Sequence, residues 1–305
     1  MDKFDIIVVG AGPAGMTAAL NCLRAGKSVL VLESDSFGGQ ISFSPRVENF
    51  PSYQKIAGAE LMDKLYEQIS EWGAQIELER VEGIQKIENS FVITTDYNKY
   101  ECTSVILATG VKPRHIGVER EEELVGNGVS YCALCDGAFY SGEEVAVIGD
   151  ANTALQYSLV LSGYCKKVHI CTLFDKFFGD KALLDLVLAR DNVAVYHNLA
   201  LQEFIGGDEL EGLRFENTQT KEEFRVDCKC AFICIGQIPN NSAFAELVKL
   251  DKGGYIVSDE NCHTSCEGIF VAGDCRTKNI RQLVTATADG SVAAFYACQY
   301  VDTKK

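Results

Sequence analysis

Twice in this chain an apolar run rich in Ile and Val empties into a glycine-led turn and then a helix-like stretch, and this repetition limits the fold more than any other feature. Residues 4–9 lead into Gly10-Ala11-Gly12-Pro13-Ala14-Gly15 and a helical stretch at 16–25, after which a second strand at 28–32 ends on Glu33. The order recurs at Glu144–Ile148, the turn Gly149-Asp150-Ala151-Asn152-Thr153-Ala154, a helical stretch at 155–162 and a strand at Lys167–Cys171. Strand, glycine turn, helix and strand, met twice, predict an α/β fold with two dinucleotide-binding, Rossmann-like domains. Apolar strands at 105–110, ending in Ala108-Thr109-Gly110, and at 231–236, followed by Pro239-Asn240, look like domain exits. A last buried strand at 268–274 runs into Gly273-Asp274, and a helix is expected over 285–300. The simplest layout inserts the second unit into the first, as 114–241 within 1–113 and 242–305.

A chain of 305 residues suits two domains of about 100 to 200 residues each. With 47% hydrophobic and 23% charged residues and only 5 Pro, it has the apolar content to fold throughout. The apolar stretch at 6–20 carries Gly10, Gly12, Pro13 and Gly15 and almost no cationic leader, so it reads as strand, loop and helix rather than as a membrane span or address signal. A cytoplasmic protein is expected, and 13 scattered cysteines fit thiols kept reduced. The net charge of -15 argues against nucleic acid, which needs clustered Lys and Arg to displace counterions.

The first turn has the full dinucleotide fingerprint: it follows a strand, opens a helix and has an acid about 20 residues on. Gly10 allows the tight turn, Gly12 the close approach of a pyrophosphate, and Gly15 the packing of helix on strand. The helix start offers amides to phosphate, and Glu33 can take ribose hydroxyls. The second turn is compromised. Ala151 stands where the middle glycine belongs and Asp150 would repel a pyrophosphate. Its following strand exits into Thr172-Leu173-Phe174-Asp175-Lys176-Phe177-Phe178. A site for the 2′-phosphate wants arginines there, and a ribose diol wants an acid at the strand end. A degenerate but working nicotinamide site remains the alternative.

Cys132 and Cys135 form the sole Cys-x-x-Cys. Zinc would need further ligands at matching spacing, which the sequence lacks, so no metal is expected. Cys228, Cys230 and Cys234 lie in a strand-like stretch as small buried hydrophobes, and Cys262, His263 and Cys266 are taken as structural. Two residues between cysteines let one sulfur attack externally while the other resolves the mixed disulfide. Asp136 could exchange a proton with a thiolate if burial raises its pKa; a capping or solvent-facing acid is the other possibility.

Gly38-Gly39-Gln40, Glu48-Asn49-Phe50-Pro51, Ala108-Thr109-Gly110, Val129-Ser130-Tyr131-Cys132, Cys135-Asp136-Gly137, Ala272-Gly273-Asp274-Cys275-Arg276 and Arg281-Gln282 stand in this order along the chain. Together they resemble the low-molecular-weight thioredoxin reductases over essentially its whole length. The resemblance implies an FAD enzyme in which Gly38, Gly39, Gln40, Asn49, Asp274, Arg281 and Gln282 contact FAD beside the first glycine turn. It implies that Cys135 is the sulfur nearest the flavin, that Cys132 attacks thioredoxin, that Asp136 is the acid, that domain motion separates the two encounters, and that the enzyme is a homodimer. The family's NADPH motifs would fall at Gly149-Asp150-Ala151-Asn152-Thr153-Ala154 and at Thr172, Leu173, Phe174 and Phe178, where they are absent. That pattern is similar to the ferredoxin-dependent flavin thioredoxin reductases, which implies single electrons from reduced ferredoxin. Ferredoxins are acidic, so docking on this acidic chain calls for a local basic patch, with Lys112 and Arg114 as candidates. A reductase still using NADPH or NADH, a two-flavin oxidoreductase and a flavin redox sensor that turns over nothing stay open at this level.

Overall fold

The computed structural model describes residues 1–44 and 47–304. The chain opens with β1 (Asp2–Val9), α1 (Pro13–Arg24), β2 (Val29–Glu33), α2 (Gly58–Glu71), β3 (Gln75–Leu78), β4 (Val81–Ile87), β5 (Ser90–Thr95) and β6 (Lys99–Leu107), and leaves along β7 (Val111–Pro113). A second series follows as β8 (Val129–Ser130), α3 (Ala133–Asp136), β9 (Glu144–Ile148), α4 (Asn152–Leu161), β10 (Lys167–Cys171), α5 (Lys181–Leu188), β11 (Val193–Tyr196), β12 (Leu199–Gly206), β13 (Leu210–Asn217), β14 (Glu223–Asp227) and β15 (Cys230–Ile233). The chain returns through β16 (Gln237–Pro239), β17 (Ile269–Val271) and α6 (Leu283–Lys304). It divides into two compact units, Met1–Lys112 with Ile238–Lys305, and Pro113–Gln237.

In the first unit the sheet runs β3-β2-β1-β6-β5-β4. β6 is long enough to take the antiparallel β5 along its first half and the parallel β17 along its last residues. β1 and β2 are apolar at successive positions because both faces of a parallel sheet are covered. Ile6, Val8, Val29 and Val31 join the core under α1, α2 and α6. Ile7, Val9, Leu30 and Leu32 fill the opposite face with Phe91, Phe244 and Ile256. The second unit repeats the plan with a parallel sheet in the order β11-β10-β9-β15-β8 and an antiparallel sheet β12-β13-β14.

Both glycine turns start their helices earlier than expected from sequence: α1 begins at Pro13 and α4 at Asn152. Proline's missing N–H costs nothing in the first helical turn, so Pro13 opens the helix rather than delaying it. The second crossing also belongs elsewhere than the expected 114–241 boundary. Residues 238–241 pack with the first unit, held by buried Asn241, whose Nδ2 donates to the carbonyls of Gly254 and Cys275 at 2.9 Å each.

Candidate active site

Gly10 closes the turn after β1 at φ +107°, and a side chain there would overlap the carbonyl of Ala108 at the end of β6. Gly12 is the residue preceding α1, and Gly15 packs against the carbonyl of Gly10. Ala14 is buried beside Gly273, where an added Cβ would come within 2.8 Å of the Ala14 methyl. Gly38 and Gly39 both have positive φ, and a Cβ on Gly39 would stand 3.3 Å from the Gly12 Cα. The side-chain-free backbones of Gly12 and Gly39 thus pack directly on each other at the start of α1, whose free amides suit a pyrophosphate. Glu33, expected at a ribose, has both carboxylate oxygens on backbone amides of the protein. Its Oε2 accepts the Ala11 N–H at 2.8 Å and its Oε1 the Ser34 N–H at 2.7 Å, which fastens the turn to the end of β2.

The other expected cofactor residues line the same unit. Gln40 donates through Nε2 to the Val111 carbonyl, and Asn49 Nδ2 to Gln282 Oε1 at 3.2 Å. Thr109 donates to Asn241 Oδ1 at 2.8 Å, with Gly110 turning at φ +61°. The Arg281 guanidinium lies over the Tyr255 ring at 4.2 Å, and its Nε donates to the Asp274 carbonyl at 3.2 Å. Asp274 itself carries a buried Oδ1 with no hydrogen-bond partner, and burial pushes its carboxyl up to about 6. An orphaned buried acceptor is costly unless a ligand engages it. The free amides at the start of α1, which Gly12 keeps clear of side chains, and the orphaned Asp274 oxygen therefore fit a bound dinucleotide such as FAD.

In the second unit Gly149 keeps the tight turn, at φ +152°, against the Cys234 carbonyl. Beyond it the likeness ends. Buried Thr172, at the position corresponding to Glu33, donates to the Phe174 carbonyl at 2.7 Å and lies 2.8 Å from His197 Nδ1. The segment after it folds back over the turn. The Phe178 N–H donates to the Asp150 carbonyl at 2.7 Å, the Asp180 N–H to Asn152 Oδ1 at 2.7 Å, and Asn152 Nδ2 to Asp180 Oδ2 at 3.2 Å. Gly179 lies so near the start of α4 that a Cβ would stand 3.2 Å from the Asn152 amide nitrogen. Asp175 lies exposed in this segment, and Leu173, Phe174 and Phe178 point large apolar surface to solvent, Phe178 being 56% exposed. Burial raises the Asp150 carboxyl above its ordinary range.

Cys132 and Cys135 are joined in a disulfide around the start of α3, with Cα atoms 5.3 Å apart. The Cys135 N–H also points to Cys132 Sγ at 3.2 Å. Asp136 is neither a cap nor a solvent-facing acid. Its Oδ2 accepts the Ser130 hydroxyl at 2.6 Å, while its Oδ1 is buried without a partner. Burial raises its pKa and the Ser130 hydrogen bond partly offsets that rise. On the other side of Cys132, the Tyr131 hydroxyl donates to buried Glu121 at 2.9 Å. Cys228, Cys230, Cys234 and Cys262 are buried free thiols and Cys266 is half-buried. Among the described residues no group of His, Cys, Asp or Glu is arranged to hold a metal ion, and no helix is long and apolar enough to cross a membrane. Lys112 and Arg114 are both exposed.

Three further residues support these sites, and of them only Ser130 stands in one of the segments that carry the family resemblance. Ser130 and Asn241 act through contacts described above, and Asp289 on α6 accepts Arg276, Lys278 and the Gly273 N–H at 2.8–3.1 Å, bracing the turn that presents Asp274. No local pattern marks Asn241 or Asp289. Ser130, two residues before a redox cysteine, is the one that its spacing could have flagged.

Residues 4–290 match the family described as pyridine nucleotide-disulphide oxidoreductase. A thioredoxin reductase of Treponema pallidum is 40% identical over 98% of this chain and 98% of its own length. A Clostridium pasteurianum protein described as a 34.2 kDa protein in the rubredoxin operon is 37% identical over 99% of this chain and 98% of its own. The crystal structure of thioredoxin reductase from Streptococcus pyogenes matches with a TM-score of 0.95 at 34% identity, covering 99% of each chain. Thioredoxin reductases are FAD flavoproteins and the matched family binds FAD, in agreement with the glycine turn and the orphaned oxygen of the first unit.

Proposed function

The chain belongs to the pyridine nucleotide-disulphide oxidoreductase family and is thioredoxin reductase-like, and from that premise we propose that it reduces thioredoxin with electrons taken from reduced ferredoxin rather than from NADPH. The observation that carries the donor assignment is the segment after β10, which hydrogen-bonds onto the second glycine turn and presents Leu173, Phe174 and Phe178 where a 2′-phosphate would need arginines. A nicotinamide dinucleotide would have to displace the Phe178–Asp150 and Asp180–Asn152 hydrogen bonds and place its pyrophosphate beside Ala151 and Asp150. Lys112 and Arg114 are candidate contacts for an acidic ferredoxin.

Gly10, Gly12, Gly15, Glu33, Gly38, Gly39, Gln40, Asn49, Asp274, Arg281 and Gln282 would hold FAD. When bound, FAD supplies the conversion between single electrons and the electron pair that opens a disulfide. The chain's own part is thiol exchange. The Cys132 thiolate attacks the disulfide of thioredoxin, an S–S bond to Cys132 forms, and one thioredoxin sulfur leaves. Cys135 then attacks Cys132, restoring the enzyme disulfide and releasing reduced thioredoxin. Asp136, its acidity weakened by burial, exchanges the proton at Oδ1. A cytoplasmic homodimer belongs to the same proposal, and the buried free thiols agree with a reducing compartment.

Calorimetric titration of the FAD-loaded protein with NADPH and with NADH tests the donor assignment. No saturable binding is expected; binding in the micromolar range customary for enzyme substrates would overturn it in favour of a nicotinamide-dependent reductase.

A further inference from the structure

Ser130 ends β8, which pairs with β15 through Phe232, so its backbone is fixed by the sheet and its side chain is 3% exposed. From there one hydroxyl makes two bonds. It accepts the Cys132 N–H at 3.0 Å and donates to Asp136 Oδ2 at 2.6 Å. Since a hydroxyl has a single hydrogen, donation to Oδ2 leaves its lone pairs for the Cys132 amide. The carboxyl is thereby divided: Oδ2 is engaged and Oδ1 is left buried and bare. We propose that Ser130 is a positioning residue, clamping Asp136 to the backbone of the attacking cysteine so that Oδ1 is the oxygen that gives and takes the proton.

The inference rests on Asp136 as the proton carrier of thiol exchange. As the Cys132 thiolate forms its bond to one substrate sulfur, the substrate S–S bond breaks and the departing thiolate takes the proton from Oδ1. Cys135 then yields its proton to Oδ1, its sulfur attacks Cys132, and the second substrate sulfur leaves as a thiolate. Charge, protons and the electron pair balance without a further reagent. The groups around Asp136 keep out of this exchange near neutrality. Tyr140, which follows α3, and Cys230, on β15, interact with Asp136 and with each other, and burial pushes both upward. Cys165, whose Sγ points to the Tyr140 carbonyl at 3.4 Å, is pushed up to about 11. Cys132 and Cys135 titrate only when reduced.

A hydroxyl donating to a carboxylate favours its charged form, so Ser130→Ala raises the Asp136 pKa further. The test uses the dithionite-reduced holoenzyme in single-turnover exchange with oxidised thioredoxin across pH, in wild type, Ser130→Ala, Ser130→Thr and Asp136→Asn. The alkaline limb that Asp136→Asn abolishes is expected to move up in pH in Ser130→Ala and to stay put in Ser130→Thr, which keeps the hydroxyl. A nitrobenzoate disulfide, whose thiolate leaves without a proton, should give the same profile in wild type and Ser130→Ala. Coincident limbs in wild type and Ser130→Ala overturn the proposal. If Asp136→Asn leaves the limb in place, the proton-carrier reading fails instead. Infrared titration of the Asp136 carboxyl then decides the clamp alone: an upward shift in Ser130→Ala supports it and no shift overturns it.

Discussion

Replacing Asp274 by Asn should make the flavin-free protein more stable and the flavin-bound protein worse at keeping its cofactor. In the fold the Asp274 carboxyl is buried with no protein partner for Oδ1, and burial lifts it to about 6 against the pull of Lys278 and Arg281. An unfolded aspartate titrates near 3.9, so holding it ionised in the fold costs about 3 kcal/mol at neutral pH. The folded pKa is the higher one, so the protonated form is favoured on folding. The penalty is absent below about pH 4, grows as pH rises between 4 and 6, and is complete above that. Asn removes the charge but still leaves a buried polar group, which trims the gain to about 2 kcal/mol at pH 7.5 and less at pH 5. Urea unfolding of flavin-stripped wild type and Asp274→Asn at the two pH values measures this directly. In the same variant FAD affinity should fall by about tenfold or more, because a neutral amide replaces the carboxylate and a charge-assisted hydrogen bond to the cofactor becomes an ordinary one. A stability difference that is the same at pH 5 and pH 7.5, or a variant that holds FAD as tightly as wild type, would refute the reasoning.

Cys135→Ser should trap a stable mixed disulfide between Cys132 and thioredoxin, visible on a non-reducing gel and absent from Cys132→Ser. Gly39→Ala should lower flavin occupancy far more than unfolding free energy, because its Cβ would press on the Gly12 Cα at 3.3 Å and shift the glycine turn while the positive φ costs only about 1–2 kcal/mol; absorbance of the bound flavin and urea unfolding separate the two. Ala151→Gly combined with Leu173→Arg and Phe178→Arg should raise NADPH affinity by about tenfold or more, through backbone approach and charge-assisted bonds to the 2′-phosphate. Calorimetry that finds no gain would mean that the hydrogen bonds of Phe178 and Asp180 onto the turn are sufficient to close it.

The parts of this molecule that depend on what a backbone can tolerate were legible in the sequence. Gly10 and Gly149 announced two turns of one kind, because each must adopt a positive φ against a carbonyl. The alternation of Ile6 and Val8 with Ile7 and Val9 gave a strand covered on both faces. Contacts between distant segments were not legible. The Thr109–Asn241 hydrogen bond spans 132 positions and nothing near either residue signals the other, so the sequence does not show that residues 238–241 pack with the first unit. The segment after β10 was legible only as a lack of arginines. That it returns to the turn depends on Gly179, whose small size permits the approach to Asn152 and which carries no motif of its own. The spacing of Glu33 suits a ribose ligand, whereas its bond to the Ala11 amide comes from the fold of the turn and has no signal in the sequence.

The donor is the central claim, and flavin bleaching tests it most directly. Under anaerobic conditions the FAD-loaded protein is mixed in a stopped-flow instrument with NADPH, with NADH and with reduced ferredoxin, and the oxidised flavin band is followed. Ferredoxin should bleach it at a rate that supports thioredoxin reduction, and neither nicotinamide should do so. Rapid bleaching by NADPH, with none by ferredoxin, would contradict the account.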